Sequence, residues 1–142
     1  MDRLALAAWH SSFSRNKPGH PWNTNMEVNI IVPEASRANP LVKFLPVEGL
    51  TFPEEIYEYQ DSTITGENEV LLKLAPHRNS FRKSKRPEEK NAPISWMKQH
   101  GDARVFYSSL GHNHAMYYHH PQVLQHYLNG ILWILQHSDA AE

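Results

Sequence analysis

RVFYSSLGHNHAMYYHHPQVLQHYLNGILWIL, residues Arg104 to Leu135, decides the fold of this chain. Val105, Phe106, Tyr107 and Leu110 are apolar and β-prone, the composition of a buried strand. Gly111 breaks that strand, and His112 and His114 follow at once. Pro121 suits the first turn of a helix, where its missing N–H sacrifices no hydrogen bond. Leu124, Leu128, Ile131, Leu132 and Leu135 then recur at helical spacing, while Gln122, Gln125, His126, Asn129 and Gln136 occupy the other side. The spacing predicts a helix over 121–137 packed on one face of a sheet. Gly130 inside it costs about 1 kcal/mol relative to alanine, which points to a close helix–sheet approach. A strand that opens at its C-terminal end into a polar loop before a helix is where open α/β sheets place ligands.

Upstream of this unit the pattern is less regular. Asp2 to Phe13 has the mixed periodicity of a short helix, and Asn16 to Asn25 is a loop by its Pro, Gly and Asn content. Met26, Val28, Ile30 and Val32 alternate with other residues, as in a strand. Pro33 to Asn39 breaks it, and Pro40 to Leu45 forms a helical turn. Glu55 to Gln60 and Glu69 to Ala75 read as two strands joined by a turn containing Gly66. His77 to Asn91 is a long polar stretch, basic first and then acidic. Pro93 to Gln99 and Arg104 to Ser109 form a hairpin over Gly101 and Asp102. The expected core holds Val28, Ile30, Leu72, Val105, Tyr107, Leu124, Leu128 and Ile131.

A chain of 142 residues has room for one domain and one modest core. Apolar residues make up 40% and charged residues 20%, a globular rather than a disordered balance. The formal net charge of −1 gives no electrostatic case for nucleic acid or an anionic membrane. The absence of cysteine excludes disulfides, thiolate zinc sites and a cysteine nucleophile. The apolar run Leu4 to Trp9 is too short for a membrane span or a signal peptide, so a cytoplasmic location is expected. The basic run Arg82 to Arg86 has Phe81 as its only aromatic neighbour and is followed by Glu88 and Glu89, so it reads as a solvated loop.

The segment Arg104 to His112, Arg-Val-Phe-Tyr-x-x-Leu-Gly-His, followed by a helix ending near Gly130 to Trp133, resembles the trehalose-utilisation, or ThuA-like, family. Pro53 to Tyr57 is similar to that family's Asp-Glu-x-Tyr element, and Ala92 to Trp96 to its His-Pro-(apolar)-x-Trp segment. Gly19-His20-Pro21 matches its Gly-His-Pro, and order and spacing agree from about Phe13 to residue 135. Glu54 stands where the family has Asp, Ala92 where it has His, and Ser11 and Ser12 where it has paired glycines. Gly101, Asp102 and Ala103 replace its Gly-rich turn. The family's first β-α units have no counterpart, so the chain reads as a single partial ThuA-like domain over 1–142. The resemblance implies an α/β, flavodoxin-like sandwich of the class I glutamine amidotransferase type, lacking its N-terminal β-α units.

Ten histidines are present, and His112, His114, His119 and His120 lie within nine positions. His114, His119 and His120 read as solvated loop residues, since no cysteine or obvious third metal ligand accompanies them. His112 follows Gly111 directly, where either a bond to a loop carbonyl or proton transfer is open to its imidazole. By pattern alone Glu54 and Glu55 are two exposed carboxylates at a strand start. The resemblance singles out Glu55, which aligns with the family's Glu, and makes His112 and Glu55 the polar pair of a catalytic site. His20, Tyr57 and Trp22 are the expected substrate-binding residues, Trp22 by stacking on a sugar face.

The function so implied is binding or transforming a sugar or keto-sugar in trehalose or glycoside utilisation. No cofactor is identifiable. Two other classes stand beside it. A non-catalytic or truncated module would pair with another copy or another chain through an unpaired sheet edge. A metal-dependent hydrolase would use His112, His114 or His20 with Glu55 and water as ligands.

Overall fold

A computed structural model describes residues 19–22, 24–58, 67–75 and 93–136. Their elements are strands β1 (Gly19–Trp22), β2 (Glu27–Ile31), β3 (Leu50–Pro53), β4 (Ile56–Glu58), β5 (Glu69–Leu74), β6 (Pro93–His100) and β7 (Ala103–Ser108), a 3-10 turn at Glu34–Ser36, and helices α1 (Ala115–His119) and α2 (Pro121–Leu135). The helix expected over 2–13, the Gly66 turn and the polar stretch 77–91 lie outside the described residues.

Five strands form one sheet in the order β3-β2-β5-β6-β7, and β1 and β4 form a separate pair. Every pairing among the described residues is antiparallel. The fold is therefore mixed α/β built on an antiparallel sheet, and the parallel strands of a flavodoxin-like sandwich are not among these pairings. The local chemistry accounts for this. β6 and β7 are joined by two residues, Gly101 and Asp102, with His100 paired to Ala103. Gly101 has φ +58°, as the turns that match strand twist require. So short a link permits only antiparallel neighbours.

The expected strands at 26–32, 69–75, 93–99 and 104–109 and the helix from 121 are present. β3 was not foreseen, and α1 replaces part of the expected loop. β4 pairs with β1 rather than with β5, because the chain leaves the large sheet at Glu54 and Glu55. Val28, Ile30 and Leu72 are buried as expected, together with Leu71, Leu74, Ile94, Phe52 and Val42. Val105 and Tyr107 are half-buried.

Helix α2 reverses the expected orientation. Val123, His126 and Gly130 are buried, whereas Leu124, Leu128, Ile131, Leu132 and Leu135 are 47, 48, 50, 50 and 63% exposed. Gly130 explains the choice of face. A Cβ there would lie 2.5 Å from Cε1 of Phe106 on β7, so the ring takes the space that any side chain would need. The close helix–sheet approach expected from Gly130 is thus present. Once that contact is made, positions 123, 126 and 130 face the sheet by helical geometry, and the leucine stripe faces away.

His126 is 1% exposed and bridges three segments. Its Nδ1 lies 3.0 Å from the Leu41 carbonyl and its Nε2 2.9 Å from Ser95 Oγ. The Ser95 hydroxyl also donates to the Tyr107 carbonyl at 2.7 Å. Carbonyls only accept, so a neutral ring and one hydroxyl bring two hydrogens to three contacts. Burial pushes the imidazole below its ordinary pKa, and the Leu41 carbonyl opposes that shift.

Arg104 closes the other end of α2. Its Nη1 donates to the carbonyls of Trp133 at 2.8 Å and Gln136 at 2.7 Å, and its guanidinium lies 5.5 Å from the Trp133 ring centre. A cation on the last carbonyls of a helix both satisfies them and complements the helix dipole.

Candidate functional site

The site begins where β3 ends. Two glutamates span the step from the large sheet to β4, and their surroundings differ completely. Glu54 is fully buried. Its Oε1 accepts from the backbone N–H of Glu55 and of Asn113, and its Oε2 from that of Gly111, each at 2.9 Å. One carboxylate thus clamps the loop that follows β7. Expectation by pattern had both glutamates exposed, and both are corrected: Glu54 is fully buried and the Glu55 side chain largely so. Two amides of the tight loop, those of Gly111 and Asn113, need an acceptor, and a side chain from β3's end supplies it.

The loop is pinned a second time by Asn113. Its Nδ2 donates to the carbonyls of Thr24 at 3.1 Å and Pro53 at 3.0 Å. Its Oδ1 accepts from the N–H of Ala115 at 3.1 Å, which starts α1. Gly111 has φ +111°, and a Cβ there would overlap the Tyr117 hydroxyl. Only glycine meets both conditions. Tyr127 donates its hydroxyl to the Leu110 carbonyl at 2.5 Å. Burial pushes its pKa up to about 12; the Ser108 hydroxyl opposes this, and Tyr117 and Glu54 add to it.

This scaffold presents His112 at the surface. Its side chain is 52% exposed, and its Nδ1 lies 3.4 Å from Oε1 of Glu55, whose side chain is 15% exposed. The structure brings these two expected site residues together. Tyr57 is half-buried on β4, one residue beyond Ile56. His20 and Trp22 lie on β1, which pairs with β4 through Gly19 opposite Glu58 and Trp22 opposite Ile56. Tyr57 and the backbone of His20 and Trp22 therefore belong to one strand pair, and His112 reaches the residue just before that pair, Glu55.

The remaining histidines divide. His114 and His119 are exposed, His119 on α1 rather than in a loop. His120 is half-buried with its ring 4.8 Å from that of Phe52. Burial pushes its pKa down, and His119 adds to the shift. Among the described residues no three His, Asp or Glu side chains come together as a metal would require. Behind the loop, Phe52, Leu110, Val123 and His126 line an apolar cavity of about 10 Å³, room for about one water molecule. A sugar does not fit there; a larger cavity, of about 340 Å³, lies against α2 and is lined by Asn39, Met97, Asn129, Leu132 and Trp133, away from His112.

A half-exposed imidazole beside a carboxylate can exchange protons with a bound molecule. The carboxylate stands on the Nδ1 side of the ring, so Nε2 is the nitrogen turned away from it. Sequence reasoning found this pair but missed the groups that build it. No side-chain pattern signals Glu54, because its partners on the loop are the backbone amides of Gly111 and Asn113.

The chain matches the model of the ThuA family, described as trehalose utilisation, over residues 5–134, and it belongs to that family. No curated protein and no solved structure matches it. No helix among the described residues is long and apolar enough to cross a membrane.

Proposed function

We propose that this chain binds a sugar or keto-sugar of the trehalose type at the rim formed by His112 and Glu55, and moves a proton on it. Glu55 holds the imidazole of His112 through Nδ1. Nε2 takes a proton from a sugar hydroxyl, or from a carbon beside a carbonyl, and returns it in the next step. In this reading Tyr57 on β4, with His20 and Trp22 on the strand paired to it, binds the sugar ring.

The observation that supports this reading is convergence. Residues 19–22, 54–57 and 110–113 are far apart in sequence, and each carries a family element. They meet through the β1–β4 pairing and the hydrogen bonds that the backbone N–H groups of Gly111 and Asn113 donate to Glu54. A glutamine amidotransferase-like sandwich, of which the antiparallel sheet is one part, and a cytoplasmic location belong to the same reading.

The test is titration of the labelled chain with trehalose and with its keto forms, followed by NMR. The expected result is a shift of the His112 ring resonances and of the amides at 110–113. A folded sample that shows no shift and no turnover with any of these sugars overturns the proposal.

A further inference from the structure

We infer that the cavity between the C-terminal half of α2 and strand β6 is a second ligand site, shaped for a neutral, hydroxylated ring such as a monosaccharide unit. It measures about 340 Å³. Small-molecule sites run from roughly 300 to 1,000 Å³. None of its lining residues belongs to the rim of His112 and Glu55, so the inference does not rest on the chemistry proposed there.

Helical spacing builds one wall. Asn129, Leu132, Trp133 and Gln136 lie three, one and three residues apart, on one side of α2. The facing wall is Met97 on β6 and the loop at Asn39. Both walls are held in place. Asn39 Nδ2 donates to Glu69 Oε1 at 2.8 Å and to Met97 Sδ at 3.3 Å, and its Oδ1 accepts from the Leu41 N–H at 2.9 Å. Asn129 Nδ2 donates to the Pro40 carbonyl at 3.3 Å, and its Oδ1 accepts from Gln125 at 2.7 Å. Arg104 holds the backbone carbonyls of Trp133 and Gln136 and lies against the indole. Walls fixed in advance lose little freedom when a ligand binds.

The lining chemistry identifies the ligand. The side-chain amides of Asn39, Asn129 and Gln136 stand beside one indole and a set of aliphatic and thioether groups, and no Lys, Arg, His, Asp or Glu lines the cavity. A charged ligand finds no counter-charge there. Arg104 does not line it, and its Nη1 is committed to two carbonyls. An amide both donates and accepts, as a hydroxyl does, so the two pair in either direction. Asn39 Oδ1 and Asn129 Oδ1 each accept one bond and keep a second lone pair. Among the described residues the exposed Gln136 side chain has no hydrogen-bond partner. An apolar ligand would cover these amides without pairing them, at the cost of their hydration. Trp133 and Leu132 supply an apolar surface for the C–H face of a hydroxylated ring.

The test is NMR on the isotope-labelled chain with methyl α-glucoside, glucose 6-phosphate, glucosamine and adenine as probes. Methyl α-glucoside is expected to shift the indole N–H of Trp133 and the side-chain amides of Asn129 and Gln136 saturably, and to do so equally in His112→Ala. Shifts at 110–113 report on the rim instead, so the two sites pass or fail independently. Trp133→Ala weakens binding at the cavity roughly tenfold, the worth of one aromatic face. Gln136→Ala, on an exposed side chain, keeps the fold and weakens binding about two- to tenfold, the worth of one neutral hydrogen bond. The inference is overturned if a folded sample shows none of these shifts, the result expected when another segment of the chain fills the cavity. It is also overturned if a charged sugar or adenine binds more tightly than the glucoside, if the shifts disappear in His112→Ala, or if either cavity variant binds as the parent does.

Discussion

Glu54 is fully buried and gives its two carboxylate oxygens to three backbone N–H groups, whereas Glu55, the next residue, stands 3.4 Å from a His112 that is half open to water. The same functional group does opposite work on the two sides of one peptide bond. Inward, it replaces the hydrogen bonds that a tight loop cannot make for itself. Outward, it stands beside an imidazole that is half open to water. The chain needs the first to have the second, because His112 lies between the two amides that Glu54 holds on the loop, Gly111 and Asn113. Stability and the proposed chemistry therefore fall to neighbouring residues, and substitutions separate them.

The largest effect is expected at the buried side. Glu54→Ala leaves three N–H groups without their acceptor, and each buried unsatisfied donor costs about 1–3 kcal/mol. A loss of at least about 3 kcal/mol is expected, a large part of a single domain's stability. Urea denaturation checks it through the midpoint. A loss below about 1 kcal/mol would show that water replaces the carboxylate and that the clamp is not structural.

Gly130→Ala comes next and asks how filled the interior is under α2. Helix propensity alone predicts a gain of about 1 kcal/mol. The added Cβ would meet three atoms of the Phe106 ring at 2.5 to 2.6 Å, and overpacking of this kind costs about 1–3 kcal/mol. The expected sum is a net loss of about 1 kcal/mol. A more stable variant would mean that the Phe106 ring moves aside freely.

The third test uses pH on the buried imidazole. Burial holds His126 below the ordinary histidine pKa of 6.5. The folded chain then binds fewer protons than the unfolded one as pH falls. The stability this contributes is complete above about pH 6.5 and is lost as pH drops from there through the folded value. The third, hydrogen-poor contact of the Leu41–His126–Ser95–Tyr107 chain favours protonation, but one hydrogen bond is worth about 1 kcal/mol, less than the several needed to bury an unpaired charge. An NMR titration in which His126 titrates at or above 6.5 would reverse that order.

Much of this was legible before the structure. Hairpin β6–β7 announced itself through Gly101-Asp102 between two β-prone runs, and Gly130 foretold the close approach to the sheet. What failed on α2 was the choice between two stripes. Positions 123, 126 and 130 and positions 124, 128 and 131 both have helical spacing, and hydrophobicity favoured the second. Tertiary contacts decided for the first, because Phe106 accepts only a glycine and Ser95 with the Leu41 carbonyl accepts a histidine. The site was legible as residues and not as a scaffold. His112 and Glu55 carry family elements, but the partners of Glu54 are backbone amides 57 and 59 residues away, which no side-chain pattern encodes.

The smallest change in stability is expected at the open side. His112 is 52% exposed, and its contact with Glu55 is 3.4 Å, longer than a good charge-assisted hydrogen bond. Exposed pairs of this kind couple by about 0.2–1 kcal/mol. His112→Ala, Glu55→Gln and the double variant should therefore each unfold within about 1 kcal/mol of the parent, with a coupling inside that range. His119→Ala, on exposed α1, serves as the reference for a histidine outside the site. Sugar binding should vanish in both single variants at the rim and persist in His119→Ala. A His112→Ala chain as unstable as Glu54→Ala would make the imidazole part of the clamp. The contrast between the two glutamates would then be one of exposure only, and the rim would lose its claim to chemistry.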